Sequence, residues 1–327
     1  MNQQAEYCLA VDIGGTKVDI ALMDPGGRVY GNIHHELVPF DDHGVADPGK
    51  LIDLLHPFIN QALQKKLNLK GIGLAICGNI NSETGEAVLV PNLHWRYLPF
   101  GEMVRSAFGL PVHYATDVRQ AAIAEHLWGI ARQVRNFAWC TVGTGYGGYL
   151  FLEGKLFSGS HGFAGNFGHI TLDEVNGYPC GCGRRGCFET FVSGPAIARY
   201  GQAAVDRGQS SVLFHLAADK PVTTQMVIQA SNSGDKVAND ILDQVIRLIS
   251  INLGGVVNLL DLDMIVMGGG VVNAIPNFIQ RINDRIRDYL MTEEAKRDLR
   301  VEKETFPNST LFGAAGDFFL QEGVLKE

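Results

Sequence analysis

Short apolar runs broken by glycine turns open the chain. Residues 7–31, YCLAVDIGGTKVDIALMDPGGRVYG, begin with an apolar run, turn at Gly14-Gly15, continue as a second run, turn at Pro25-Gly26-Gly27 and start a third. Apolar runs of this length bounded by glycine and proline predict strands joined by tight turns. Residues 137–159, FAWCTVGTGYGGYLFLEGKLFSG, repeat the plan with a Glu-Gly-Lys turn in the second place. One unit used twice predicts duplicated halves, each opening with a hairpin that carries a glycine loop. Between the copies, the spacing predicts a helix over 49–68, a strand over 71–77 and a helix from Val118 to Gly129. After the second copy it predicts helices over 194–207 and 236–259. DMIVMGGGVV then reads as a buried strand running into Gly268-Gly269-Gly270, followed by a helix from Pro276 to about residue 290. Strands interleaved with helices in both halves indicate the α/β class. No low-complexity linker separates the halves, so they are expected to be closely joined around a cleft.

Composition narrows the class. The chain has 327 residues, 46% apolar and 19% charged, enough for a sizeable core and a prior of about two domains. Its formal net charge is −8 with no basic run, a balance that repels a phosphate backbone and argues against a nucleic-acid partner. The opening MNQQAEYCLAVDIGG lacks the basic-then-apolar order of a signal peptide, and no apolar run reaches the roughly 20 residues that span a bilayer. A cytoplasmic protein with no membrane partner is expected. Cys8, Cys77 and Cys140 each sit in an apolar stretch and read as buried small hydrophobes.

The glycine loops are the first candidate chemistry. Small residues after a strand let backbone N–H groups approach phosphate oxygens with no Cβ in the way. Gly143, Gly145 and Gly148 fit the letters of a dinucleotide GxGxxG, but that site needs a following helix, and YLFLEGKLF reads as strand. Gly14-Gly15-Thr16-Lys17 does not complete a GxxxxGK[ST] loop either. Each alone reads equally well as a hairpin turn. Two in equivalent places, one preceded by Asp12 and followed by Thr16 and Lys17, point to a phosphate clamp. There the aspartate would hold the hydration shell of Mg²⁺, and the hydroxyl and ammonium would meet phosphates.

DIGGTK at 12–17, GTGYGGYLFLEGKLFSGSHGFAGNFGH at 143–169 and CGCGRRGCFE at 180–189 together resemble the ROK family of bacterial sugar kinases and related repressors. The resemblance extends through DLDMIVMGGGVV to LFGAAGDFFL. It implies a duplicated actin-like (ribonuclease H-like) ATPase fold. Residues 1–117 would form an N-terminal domain and 118–310 a C-terminal one, with a closing helix over 311–327 packing back on the first. By the same resemblance Asp12, Gly14, Gly15, Thr16, Lys17, Gly143, Thr144 and Gly145 would contact ATP phosphates. Gly268, Gly269 and Gly270 would line the adenosine side, and the assembly would be a homodimer.

Cys180, Cys182 and Cys187 are spaced C-x-C-x₄-C, and His169 lies shortly before them. Three sulfurs and an imidazole complete a tetrahedral Zn²⁺ shell, so spacing and resemblance together indicate a structural zinc with no open position for catalysis. A Cys180–Cys182 disulfide would be strained. Arg184 and Arg185 are placed to offset the charge of three thiolates. The metal would brace the loop bearing His169 and Glu189 against a sugar.

A phosphoryl acceptor needs a base. Asp117, after a short strand and at the start of a helix, reads by itself as a helix cap, for which aspartate is favoured. The resemblance of PVHYATDVRQAAIAEHLWG to the family's Asn-Asp-Ala-Asn segment makes it the base instead. Several residues depart from the family. Thr116 replaces asparagine, Arg119 replaces a second asparagine, Asn166 replaces a glutamate, and Cys77-Gly78 replaces Pro-Gly. Asn92 and Trp95 resemble the loop that covers the sugar. Gly78, Asn92, Thr116, Asp117, Asn166, His169 and Glu189 are therefore the candidate sugar contacts. An amide donates where a carboxylate only accepts, so Asn166 suits the carbonyl of an N-acetyl group. The reading is an ATP-, Mg²⁺- and zinc-containing kinase acting on the C6 hydroxyl of a hexose or N-acetylhexosamine. The rivals are a sugar-responsive regulator of the family, disfavoured by Asp12 lying so near the first residue that no DNA-binding domain precedes it, and a sugar-binding protein that has lost catalysis.

Overall fold

The computed structural model describes residues 5–81, 84–161 and 164–326. Strands β1 (Glu6–Ile13), β2 (Lys17–Met23) and β3 (Val29–Leu37) form the first antiparallel unit, turning at Gly14–Thr16. Where one helix is predicted over 49–68, two occur: α1 (Pro48–Asp53), capped by the Asp47 carboxylate on Gly49 and Lys50 N–H, and α2 (His56–Gln64). Pro57 stands in the first turn of α2. Proline has no N–H to continue a preceding helix, so the chain stops and restarts there. The strand predicted at 71–77 is β4 (Asn68–Ile76). A small sheet that the sequence does not announce follows, β5 (Asn79–Ile80), β6 (Ala87–Val90) and β7 (Trp95–Leu98), then α3 (Phe100–Phe108), β8 (Val112–Thr116) and α4 (Asp117–Leu127).

The second copy opens with β9 (Phe137–Val142), β10 (Tyr146–Leu152) and β11 (Lys155–Phe157). A short α5 (Glu189–Val192), α6 (Gly194–Asp206), α7 (Ser211–Ala217) and α8 (Thr224–Asn232) lead to the 25-residue α9 (Lys236–Leu260). Ile241, Leu242, Val245, Ile246, Leu248, Ile249, Leu253, Val256 and Val257 bury one broad stripe of α9, the period that made it legible. Asp235 caps its start on Ala238 N–H at 2.8 Å. Then come β12 (Met264–Gly268), α10 (Gly270–Ala274), α11 (Phe278–Ile286), α12 (Glu293–Asp298), β13 (Arg300–Lys303) and α13 (Ser309–Gln321). The helix predicted from Pro276 to 290 thus closes at Ile286 and continues as a 3₁₀ turn, Arg287–Tyr289.

The two main sheets have the same topology. Their strand orders are β3-β2-β1-β4-β8 and β11-β10-β9-β12-β13, each an antiparallel hairpin trio extended by two parallel strands. This is the duplicated α/β, actin-like ATPase fold. One compact unit comprises Met1–Arg132 with Thr305–Glu327, the other Gln133–Glu304. The division falls after Arg132 rather than after Asp117, and the chain returns to the first unit at Thr305 rather than at residue 311. The reason lies in α4, which packs on α13 and on the first sheet. Asp317 of α13 is buried and accepts from Arg119 at 2.5 Å and from Gln120 at 3.1 Å. A Cβ on Gly313 would stand 1.6 Å from the Gln120 carbonyl oxygen, so only glycine permits this helix approach.

In the first unit, Leu9, Val11, Ile20, Ile72, Leu74 and Phe100 fill one side of the sheet. Cys8, Ala10, Ala21, Ala75, Phe318 and Phe319 fill the other under α13. In the second unit one larger core joins the sheet to α9 and α11. Each fully buried Phe or Leu contributes roughly 1.5–3 kcal/mol, so these layers hold the strand ends that carry the site.

Candidate functional site

In the first unit the parallel strands β1, β4 and β8 end side by side, Ile76 pairing with both Ile13 and Thr116. The candidate residues gather at these ends. The β1–β2 turn closes by Gly14 N–H to Lys17 carbonyl, 2.9 Å, leaving Thr16 and Lys17 exposed. Asp12 is half-buried. Burial, then the charges of Asp117 and Asp19, push its carboxyl up to about 8, with Lys17 pulling the other way. Asp117 is also raised above the ordinary carboxylate value, by burial first, although Val118 N–H donates to its Oδ1 at 2.9 Å. The helix begins at Asp117 itself, with Thr116 in the capping position and making no side-chain cap bond. Asp117 thus stands inside the first turn rather than at the cap position, its carboxylate bonded to the adjacent Val118 N–H. Gly78 follows β4 by two residues, and Asn92 is exposed in a 3₁₀ turn against Gly15.

Two expectations change here. Cys77 is half-buried rather than core. Burial, then Asp117 and Asp12, push its thiol up to about 12, and Asn92 bonds to it. Cys8 and Cys140 are fully buried. Trp95, in the segment that resembles a sugar-covering loop, has its own side chain in the core. It is buried, lies 4.9 Å from the Phe100 ring and donates to the Ala46 carbonyl at 2.7 Å. Arg119, the other departure in this segment, is spent on Asp317.

The second unit presents the equivalent turn. Gly143 N–H donates to Gly145 carbonyl at 2.9 Å, Thr144 is exposed, and Gly194 N–H holds Gly143 carbonyl at 2.7 Å. Glu189 reaches this turn, its Oε2 accepting Tyr146 N–H at 3.1 Å. A Cβ on Gly145 would lie 2.7 Å from that oxygen. Gly268 pairs with Thr141, and Gly269 N–H donates to Glu304 at 3.3 Å, which brings the glycine triplet alongside the turn. Glu304 follows β13 as Asp117 follows β8. Asn166 is exposed at the head of the short turn Phe167–His169. That turn is tied down by Asn252, which donates to Phe167 carbonyl at 3.2 Å and accepts from Tyr146 hydroxyl at 2.8 Å.

His169, Cys180, Cys182 and Cys187 converge, their ligand atoms all within 4.8 Å of one another. His169 Nδ1 is 3.5 Å from Cys180 Sγ, and Cys182 Sγ is 3.6 Å from Cys187 Sγ. Tetrahedral zinc with sulfur at ~2.3 Å requires S···S edges of about 3.8 Å, so the set fits the ion. The chemistry of the thiols agrees. Burial raises Cys180, to about 12, and Cys187. Burial also opposes Cys182, yet the Arg184 backbone and side chain and the adjoining thiols bring it down to about 6. Three thiolates packed this closely would need a cation to offset their charge. Arg184 donates to His169 carbonyl and Arg185 to Gly177 carbonyl, both at 2.9 Å, so the arginines also fasten the loop. Cys180 Sγ lies 3.5 Å from Glu189 Oε1, linking the cluster to the glycine turn through one carboxylate.

Asp19 and His35 escaped the sequence reading. Asp19 is buried, faces Asp12 across β1–β2, and bonds Lys17 and His35. A polar residue at the alternation position of a buried strand was the available signal.

The ROK family model matches residues 8–322. The chain is 30% identical to a glucokinase of Halalkalibacterium halodurans, the alignment covering 88% of each chain. It is also 30% identical to a xylose repressor of Caldicellulosiruptor bescii, covering 82% of this chain and 67% of the repressor. Among solved structures, a ROK family glucokinase from Streptomyces griseus in complex with glucose and AMPPNP superposes with a TM-score of 0.76 at 27% identity, covering 94% of this chain and 98% of that one. Among the described residues no helix is long and apolar enough to cross a membrane.

Proposed function

The chain belongs to the ROK family, and on that premise we propose that it transfers the γ-phosphoryl group of ATP to the C6 hydroxyl of a hexose or N-acetylhexosamine. The observation that carries this reading is Asp117, a carboxylate of raised proton affinity that follows β8 and lies inside the first turn of α4 rather than at its cap position. It would accept the proton of the sugar hydroxyl as that oxygen attacks the γ-phosphorus. The bond to the bridging oxygen breaks, and ADP leaves with its electron pair. The turns at Gly14–Lys17 and Gly143–Gly145 would offer N–H groups, the Thr16 hydroxyl and the Lys17 ammonium to the phosphates. Gly268–Gly270 would face the adenosine.

A carboxyl raised to about 8 by burial and then by neighbouring acids is stabilised as the anion by a cation, so Asp12 suits Mg²⁺. When bound, Mg²⁺ would neutralise charge on the phosphates. Zinc on His169, Cys180, Cys182 and Cys187 would be structural, holding His169 and Glu189 for the sugar, with Gly78, Asn92, Thr116 and Asn166 as further contacts. A cytoplasmic homodimer completes the reading.

The 30% identity to a xylose repressor favours a second reading, a sugar-responsive regulator or sugar-binding protein without turnover. A coupled assay of ADP release over a panel of hexoses and N-acetylhexosamines, with the product checked as a 6-phosphate, separates the two. Sugar binding with no ADP formed from any member would overturn the kinase reading.

A further inference from the structure

We infer that Asp19 is a positioning residue for Lys17, holding its ammonium on the Asp12 side of the first sheet for a nucleotide phosphate; this rests on the kinase reading above. Asp19 is only 1% exposed, and its two oxygens are divided between two partners. Oδ2 accepts Lys17 Nζ at 2.9 Å, and Oδ1 meets His35 Nδ1 at 2.7 Å. The strand register brings these groups together. Asp19 stands opposite Asp12 of β1 and opposite His35 of β3.

Alternation along β2 puts Lys17, Asp19 and Ala21 on one face, and Ala21 is packed in the core with Cys8, Ala10 and Phe318. A buried place next to that core suits a small apolar residue. A carboxylate is kept there only with partners that offset its desolvation. The Lys17 side chain is 58% exposed, a flexible stem that would otherwise sweep through many rotamers. Asp19 engages one of its three ammonium donors and leaves two for an anion. His35 occupies the other oxygen and so keeps the carboxylate from turning away. The lysine's orientation is settled before a phosphate arrives, and the cost of ordering it does not fall on binding.

The test is a double-mutant cycle on steady-state kinetics with sugar saturating. Asp19→Ala should raise the KM for ATP roughly 10-fold, within the range of one hydrogen bond, and leave kcat and the sugar KM within about twofold. Lys17→Ala should raise the ATP KM at least as much, and the double variant should be no worse than Lys17→Ala. Asp19→Asn keeps the shape and should fall between wild type and Asp19→Ala, which guards against a folding defect in the alanine variant. Multiplying effects of the two substitutions, or an Asp19→Ala loss spread equally over kcat and both KM values, would overturn the inference. Lys17→Ala with an unchanged ATP KM would instead remove lysine from the phosphate site and fault the underlying reading at that residue.

Discussion

Asp12 and Asp117 stand at the ends of the two parallel strands that flank β4, close enough that the charge of Asp117 raises the proton affinity of Asp12. Two carboxyls in one half-buried place cannot both ionise cheaply without a cation or a proton. In the proposed kinase reading, that conflict would divide their labour, metal on one and proton on the other.

Asp117→Asn keeps the shape and most of the hydrogen-bonding capacity. Binding of ATP and sugar should stay within a few fold, while turnover falls roughly 10²-fold or more, the range for losing a general base. Binding by calorimetry beside single-turnover rates checks this. Near-normal turnover would return Asp117 to a structural role.

The raised carboxyls make stability depend on pH. In the unfolded chain Asp12 ionises near its ordinary value of 3.8, whereas in the folded chain it holds its proton up to about 8. Between these values the folded form binds more protons, so the contribution of Asp12 to stability falls as pH rises. Asp12→Asn in metal-free buffer should therefore melt increasingly above wild type from pH 5 to pH 8. Added Mg²⁺ should narrow the gap by stabilising wild type alone. Parallel melting curves would refute this.

One zinc per chain is expected by elemental analysis. Cys182→Ser should lose the metal and sugar affinity but leave some nucleotide affinity, since the cluster reaches the second glycine turn only through Glu189 and the first turn lies in the other unit. A well-folded, zinc-free wild-type preparation would be the contrary result.

Asn166→Glu should discriminate against an N-acetyl carbonyl, which then faces an acceptor, while a plain hexose hydroxyl can donate to the new carboxylate. The kcat/KM ratio of N-acetylglucosamine or N-acetylmannosamine to glucose should drop roughly 5- to 150-fold. An unmoved ratio, or a wild-type preference for the plain hexose, would leave Asn166 without a part in specificity.

Glu125 is fully buried and accepts three bonds, from Thr305 N–H at 2.6 Å, Thr305 hydroxyl at 2.7 Å and Ile130 N–H at 3.0 Å. Ile130 N–H also reaches the Thr305 hydroxyl oxygen at 2.8 Å, so Glu125→Ala strands chiefly the two Thr305 donors and should destabilise the first unit by about 3 kcal/mol, visible as a lowered melting temperature. A variant as stable as wild type would mean that these donors find other partners.

Much of the molecule was legible in the chain. Glycine and proline punctuation marks the hairpins because their backbone requirements are local, and α9 shows its length through an unbroken apolar stripe. The cysteine spacing, eight residues from first to last, announced that the three thiols would converge, because short loops leave them few other arrangements. Tertiary structure decided what depends on residues far apart in sequence. Trp95 belongs to a segment resembling a sugar-covering loop, and only the tertiary structure shows its side chain in the core, where Phe100 and the Ala46 carbonyl meet its ring and N–H. Cys77 looked like core and became a neighbour of two carboxylates, because β1 and β8 end on either side of it. The boundary moved from Asp117 to Arg132 because Asp317, nearly two hundred residues on, holds Arg119 and Gln120. Asp19 gained its meaning only when three strands aligned it with Asp12 and His35. Local backbone chemistry is written in neighbouring residues, whereas burial and charge proximity are set by which distant strands share an edge.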